Sequence, residues 1–138
     1  MEEQAIILTD YDAKRLEVLI SGRKRATYRD RGNLLELEYE LSRAAKVGTM
    51  HIPPNIVTMN SRVHLKDMDS KQDMIVTLVY PEDIRPAEGR ISVLSSIGTA
   101  ILGYAEGDTI EWHVPGGVRR IRIHKILYQP EAAGDYHL

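Results

Sequence analysis

Cysteine is absent from the 138 residues, so disulfides, thiolate nucleophiles, iron–sulfur clusters and Cys-ligated zinc are all excluded. Phenylalanine is absent too. There is one tryptophan, Trp112, and seven tyrosines supply nearly all the aromatic surface. The core must therefore be aliphatic, and neither an aromatic-lined pocket nor a base-stacking platform is expected. No stretch approaches the roughly 20 apolar residues that span a bilayer. The opening Met1-Glu2-Glu3 lacks the basic segment and apolar run of a signal peptide. A soluble, cytoplasmic protein without membrane contact is the expectation. A dominant charge is missing as well: 18 basic and 20 acidic residues leave a net −2, which creates no global pull toward nucleic acid or anionic membrane. What the chain does have is 43% hydrophobic residues at a length that can bury a sizeable core without disulfides or a structural metal.

The pattern changes near residue 50. Before it the period is helical. Thr9 is placed to cap a first helix with Asp12 as the capping-box acid, and Ala13, Leu16, Leu19 and Ile20 form its apolar stripe up to Gly22. Asn33 is placed to cap a second helix with Glu36 in the box position. Leu34, Leu37, Leu41 and Ala44 recur there at heptad-like spacing. Two helices of about 13 residues give an arm about 20 Å long. Helices that short need packing against the rest of the chain or another subunit.

Pro53-Pro54 closes the helical region, and strands follow. Val63, Leu65 and Met68 alternate, a turn passes through 69–73, and Met74–Tyr80 is a β-branched run. A loop over 81–90 leads to a short extended piece at Ile91 and Val93. Ser95 or Ser96 then caps a helical turn closed by Gly103. Ile110, Trp112 and Val114 face one way, Glu111 and His113 the other. Pro115-Gly116-Gly117 signals a hairpin, and Val118–Leu127 is the return strand. The tail from Gln129 is expected to be loosely ordered. The reading is an α+β chain: a helical hairpin over 1–50, then a domain over 51–138 with about four antiparallel strands and one short helix.

Chemistry-bearing patterns are thin. Asp67-x-Asp69 opens like a calcium loop, but Lys71, Gln72 and Leu78 stand where oxygen ligands and a sharp glycine turn are needed, so it reads as a hairpin turn. The five histidines lack zinc spacing, and His113 and His124 read as surface residues. Ser21 and Lys24 match S-x-x-K without its companion motifs. No nucleophile elbow, dinucleotide fingerprint or phosphate loop is present. No metal, cofactor or small-molecule substrate is expected, and no catalytic residue is assigned. Two surfaces stand out. In 23–31, Arg23, Lys24, Arg25, Arg29 and Arg31 face one acid, Asp30, with Tyr28 among them, a net of +4 on the expected hairpin tip. That loop can meet phosphates or an acidic protein groove, or simply be solvated. The second surface is Leu94-Ser95-Ser96-Ile97, where a leucine at a helix mouth could dock on a partner, or be core beside an ordinary cap.

The run Ile91–Gly103 (ISVLSSIGTAILG), Glu106-Gly107-Asp108 and Val114-Pro115-Gly116-Gly117 together resemble the C-terminal unit of the Gre transcript-cleavage factors. Residues 54–63 (PNIVTMNSRV), 77–81 (TLVYP) and 128–136 (YQPEAAGDY) look like the branch of that family named for regulating nucleoside diphosphate kinase. The resemblance covers essentially the whole chain. It implies a bacterial cytoplasmic protein with a short antiparallel coiled-coil hairpin on an FKBP-like domain. It also implies RNA polymerase as partner. In Gre factors the C-terminal domain docks on the rim of the polymerase's secondary channel through Asp-Ser-Pro, which falls here on Leu94, Ser95 and Ser96, with only Ser95 retained. The long Gre arm carries paired acids that hold magnesium and promote cleavage of backtracked RNA. Here the arm is short and its tip basic. Glu36 and Glu40 lie one turn apart on the stem of the second helix, and Arg23, Lys24 and Arg25 would repel a divalent cation.

The expectation is therefore a non-catalytic RNA polymerase-binding regulator that competes with Gre factors, does not stimulate cleavage, and affects nucleoside diphosphate kinase levels indirectly. A prolyl isomerase on the implied fold, or a direct partner of the kinase, are the alternatives. The aromatic poverty disfavours the first. Sequence-specific DNA binding is not expected, because no recognition-helix motif is present.

Overall fold

A computed structural model describes residues 5–23 and 31–138, with side chains described from Leu34 onward in the second segment. Strand β1 (Ile7–Thr9) runs directly into helix α1 (Asp10–Arg23). Thr9 caps that helix as the sequence suggests: the Asp12 amide donates to Thr9 Oγ1 at 3.0 Å. The stripe is buried at Ala13, Leu16 and Ile20, and Leu19 packs beside it. Helix α2 spans Arg31–Arg43 and buries Leu34, Leu37 and Leu41. It begins at Arg31, so Asn33 is its third residue and not its cap. It also ends ten residues before Pro53. The interval holds β2 (Ala45–Val47), which pairs in parallel with β1 through Ile7↔Ala45 and Thr9↔Val47, and a 3-10 turn over Thr49–His51. Three-residue strands carry too little alternation to show a period, so this pair left no trace in the sequence pattern.

The remaining strands are β3 (Arg62–Asp67), β4 (Asp73–Val79), β5 (Arg90–Ser92), β6 (Thr109–Val114) and β7 (Gly117–Tyr128), in the order β5-β4-β3-β7-β6. Not all of them are antiparallel. β5 runs parallel to β4, with Leu78 opposite Ile91, because 80–89 carries the chain back through two 3-10 turns before it pairs. The inner face of β3 holds Val63, Leu65 and Asp67. The third buried position is thus an acid where the alternation suggested Met68. The β6–β7 hairpin turns at Pro115-Gly116, with Val114 opposite Gly117, as the motif implied. Helix α3 (Ser96–Ile101) lies against β6.

One apolar cluster joins the two halves of the chain, taking Leu16 and Leu37 from the helices together with Leu65, Leu78, Ile121 and Ile123 from the sheet. Each such fully buried side chain contributes roughly 1.5–3 kcal/mol. The β1 strand is tied to the sheet half by Ile7 N donating to Gly103 O at 3.1 Å. Gly103 has φ +81°, and a Cβ there would stand 2.6 Å from the Ile6 Cβ, so only glycine fits. The tail differs from expectation: it is pinned. Helix α4 (Pro130–Ala133) is preceded by buried Gln129, whose Nε2 donates to Pro53 O and Ile56 O at 2.8 Å each. Buried Glu131 accepts from Thr58 Oγ1 at 2.7 Å. Tyr128 donates to the Asp135 carboxylate. Burial and that bond push its hydroxyl up to about 12.

Candidate docking site

The segment Ser92–Gly98 is a tight polar knot. Ser95 is the cap residue of α3: its Oγ accepts from Gly98 N at 3.1 Å and donates to Ser92 O at 2.6 Å. Ser92 Oγ in turn accepts from Leu94 N at 3.0 Å. A Cβ on Gly98 would lie 2.2 Å from Ser92 O, so the knot can close only around glycine. Ser96 turns the other way and accepts from Trp112 Nε1 at 2.9 Å, which fastens the start of α3 to β6. Ile97 is buried beneath it. The knot holds Leu94 half-buried, packed on the core along one edge and facing a groove along the other. It is neither the freely exposed leucine nor the plain core leucine that the sequence left as alternatives.

That groove, about 270 Å³, is lined by Arg23, Leu34, Pro81, Ile84, Leu94 and Ser95, with Ser92 at its edge. The fold therefore brings the last described residue of α1 and the start of α2 against the α3 entry, residues separated by some sixty positions in sequence. Its walls combine Leu34, Pro81, Ile84 and Leu94 with the two serines, and one exposed cation, Arg23, stands at the side. Arg23 is the only residue of the basic cluster whose side chain is described. Lys24, Arg25, Tyr28 and Arg29 lie outside the described residues, and of Arg31 only the backbone is given, as the first residue of α2.

The residue before Pro81, Tyr80, belongs to a polar junction that the sequence did not announce. Asp12 is fully buried, and its Oδ2 accepts from Met59 N at 3.1 Å. Its Oδ1 stands 3.5 Å from the Arg15 guanidinium. Arg15 spans two rings, 4.3 Å from the Tyr11 centroid and 4.4 Å from that of Tyr80, the residue just before Pro81. Burial pushes the Asp12 carboxyl up to about 7. The Met59 amide and Arg15 oppose that rise, and the nearby charge of Glu131 adds to it. Burial, then the Asp12 charge, likewise raises the Tyr80 hydroxyl. Asp12 is in step with Leu16 and Ile20, one and two helical turns away. An acid on the apolar face was the available signal, and the capping-box reading absorbed it.

The Asp67–Asp69 turn is filled by its own bonds. Asp67 accepts from the amides of Asp69 and Ser70 and from Arg119 Nη1 at 2.8 Å, and Asp69 pairs with Arg120 at 3.2 Å. The Arg119 guanidinium and the Ser70 amide hold the Asp67 carboxyl down at about 2. Among the described residues no cluster of three metal-binding side chains occurs, and no helix is long and apolar enough to cross a membrane.

The profile described as "Transcription elongation factor, GreA/GreB, C-term" matches residues 52–128, and that described as "Rnk N-terminus" matches residues 4–47. The "Regulator of nucleoside diphosphate kinase" of Escherichia coli K12 is 37% identical over the full length of both chains. The chain belongs to the GreA/GreB family. Within it, the chain is placed in the branch of that regulator by its N-terminal match and its 37% identity to that protein. A "Transcription elongation factor GreA" of Clostridium botulinum is 35% identical over 67% of this chain and 58% of its own, so the likeness to such factors leaves much of them unmatched. The structure titled "Prokaryotic transcription elongation factor GreA/GreB from Nitrosomonas europaea" superposes with a TM-score of 0.74 at 41% identity, covering 89% of this chain and 99% of that one. The fold is thus a GreA/GreB-like α+β arrangement. These relatives carry the names of regulators and transcription factors.

Proposed function

We propose that the chain is a non-catalytic transcription regulator that binds RNA polymerase at the rim of the secondary channel and competes there with Gre-type factors. The observation that carries this reading is the full-length likeness to the regulator branch of a transcription-factor family, with the α3 entry lying inside the matched C-terminal unit. In this reading residues 51–138 form the docking unit, of the FKBP-like kind, and residues 1–50 a short coiled-coil arm. Leu94, Ser95, Ser96 and Ile97 form the docking segment, with Leu94 making the contact and Ile97 buried as its support. Leu94 offers apolar area, while Ser95 and Ser96 hold it in place through Gly98 and Trp112. The Gre docking acid is replaced by Leu94, and Arg23 stands at the groove's side as an exposed cation. The partner surface for this groove is accordingly apolar with an acidic edge.

The basic tip, Arg23 to Arg31, takes no metal in this reading and does not promote transcript cleavage, since its charge repels a divalent cation. Any effect on nucleoside diphosphate kinase passes through transcription, and the protein acts in the cytoplasm. Two measurements on core RNA polymerase test the proposal. The full chain is expected to bind at micromolar concentration or below, and to release no cleaved RNA from a stalled complex at stoichiometric protein. Failure to bind would overturn the docking claim. Cleavage would overturn the claim that the protein is non-catalytic.

A further inference from the structure

The five-stranded sheet has two faces of opposite character. Val63, Leu65, Ile121 and Ile123 point into the core, and the alternate positions point outward. On the outer face β3 contributes Arg62, His64 and Lys66, and β7 contributes Arg120, Arg122 and, at a bulge opposite His64, His124 and Lys125. β5 adds Arg90, opposite Thr77 of β4. Six cations thus share one face of a chain whose net charge is −2. The acids there are Asp73 and Glu111 on the strands, Asp69 in the turn, and Asp83 and Glu88 at the β5 end; counting Arg85, which is paired with Glu88, seven cations against five acids leave +2. Among the described residues only Arg120 of these six has an ion-pair partner, Asp69; the cross-strand neighbour of Lys66 is Asp73, which is bonded to His64 at 3.0 Å. Among the described residues, Arg62, Arg90, Arg122 and Lys125 have no acid within ion-pair distance. At the β5 end, Arg62, Thr77, Arg90 and Tyr128 line a groove of about 660 Å³, with Asp83 and Glu88 at its rim, and Glu88 stands 3.8 Å from Arg85.

Planar groups are set among these charges. His64 and His124 meet edge to face at the middle of the sheet, centroids 4.8 Å apart, beside Ile75, which is 49% exposed. The expectation of no stacking platform counted Phe, Trp and Tyr and passed over histidine, whose ring also stacks on bases. We propose that this outer face binds single-stranded RNA, with Arg62, Arg90, Arg122 and Lys125 on phosphates and the His64–His124 pair under the bases. An acidic protein segment would satisfy the cations but has no bases to lie on the His64–His124 pair, and Asp73 and Glu111 repel its carboxylates as they do phosphates. In RNA the 2′-hydroxyls can donate to those two carboxylates, a contact that DNA cannot make. The surface is distinct from the Leu94 groove, and the proposal stands or falls independently of polymerase docking.

Fluorescence anisotropy of a labelled 12-nucleotide oligouridylate with the full chain tests it. Saturable binding is expected, with a slope of log K against log salt of about −3 for four to five neutralised phosphates. That corresponds to a loss of roughly 50-fold between 50 and 200 mM salt. Arg62→Glu, Arg122→Glu and Lys125→Glu combined should weaken binding at least tenfold, while Lys14→Glu, an exposed charge on α1, should change it less than twofold. If the triple variant melts early, Arg122→Gln and Lys125→Gln singly should each reduce the slope by about 0.7. The proposal is overturned by no binding at 50 mM salt, by affinity indifferent to these substitutions, by equal affinity for oligodeoxyuridylate, or by polyglutamate binding in place of RNA.

Discussion

Two buried aspartates, one in α1 and one at the end of β3, are treated in opposite ways. Asp67 closes the turn after β3 with two backbone amides and Arg119 at 2.8 Å, and its carboxyl is held down at about 2. Asp12, in the first turn of α1, has one amide and an arginine at 3.5 Å, and burial carries it up to about 7. Both have an arginine, so the presence of a partner does not set the outcome. The depth of burial and the closeness of the charge do. The sheet turn is a fixed clip. The junction between α1 and the 57–61 segment, where Arg15 also meets Tyr80, holds an acid whose carboxyl burial has pushed well above its ordinary value.

The largest contrast should appear in pH dependence. Asp12 binds a proton more tightly folded than unfolded, so its contribution to stability falls as pH rises from about 4 to about 7 and is level above that. Asp67 behaves inversely: its contribution is complete above about 4 and is lost as pH falls toward about 2. Urea unfolding of Asp12→Asn and the native chain across pH 4–8 should show the variant gaining in relative stability up to about pH 7. The gain is at most a few kcal/mol, since one pKa unit is about 1.4 kcal/mol. Parallel curves would break the comparison. Next in size, Asp12→Ala removes the acceptor of the buried Met59 amide and should cost about 1–3 kcal/mol near pH 5. Ser95→Ala removes the α3 cap and should cost about 1 kcal/mol, read as a lower urea midpoint at unchanged slope. Arg119→Ala should have the smallest effect, because Arg119 is 47% exposed and Asp67 keeps its two amide donors. Its melting temperature should drop only slightly at pH 7 and differ least from the native chain below pH 3.

What could be read in the sequence follows the distance over which each interaction acts. The caps at Thr9 and Ser95 and the Val114–Gly117 hairpin are made within three residues, and each is where its motif puts it. The period-two strands were legible because one face of the sheet is buried. The rest is held from afar. Gln129 reaches back 76 residues to Pro53, which turns an expected loose tail into a pinned one. Asp12 satisfied a local capping pattern, but its partner Met59 is 47 residues away. The β1–β2 pair joins three-residue strands 38 positions apart, and the β4–β5 pair depends on how 80–89 crosses the sheet edge. At the candidate site, Ser95 and Leu94 could be named from the chain. Their meeting with Arg23 and Leu34 across a groove is a product of packing, which no local pattern carries.

The central claim is that the α3 entry docks on RNA polymerase at the site used by Gre factors. The most direct measurement is displacement of a labelled GreA from core RNA polymerase by this protein and by its Leu94→Ala variant. The account predicts that the native chain displaces GreA at micromolar concentration and that Leu94→Ala does so at least several-fold less well while remaining folded. Binding to the polymerase without displacing GreA, or displacement indifferent to Leu94, would contradict it.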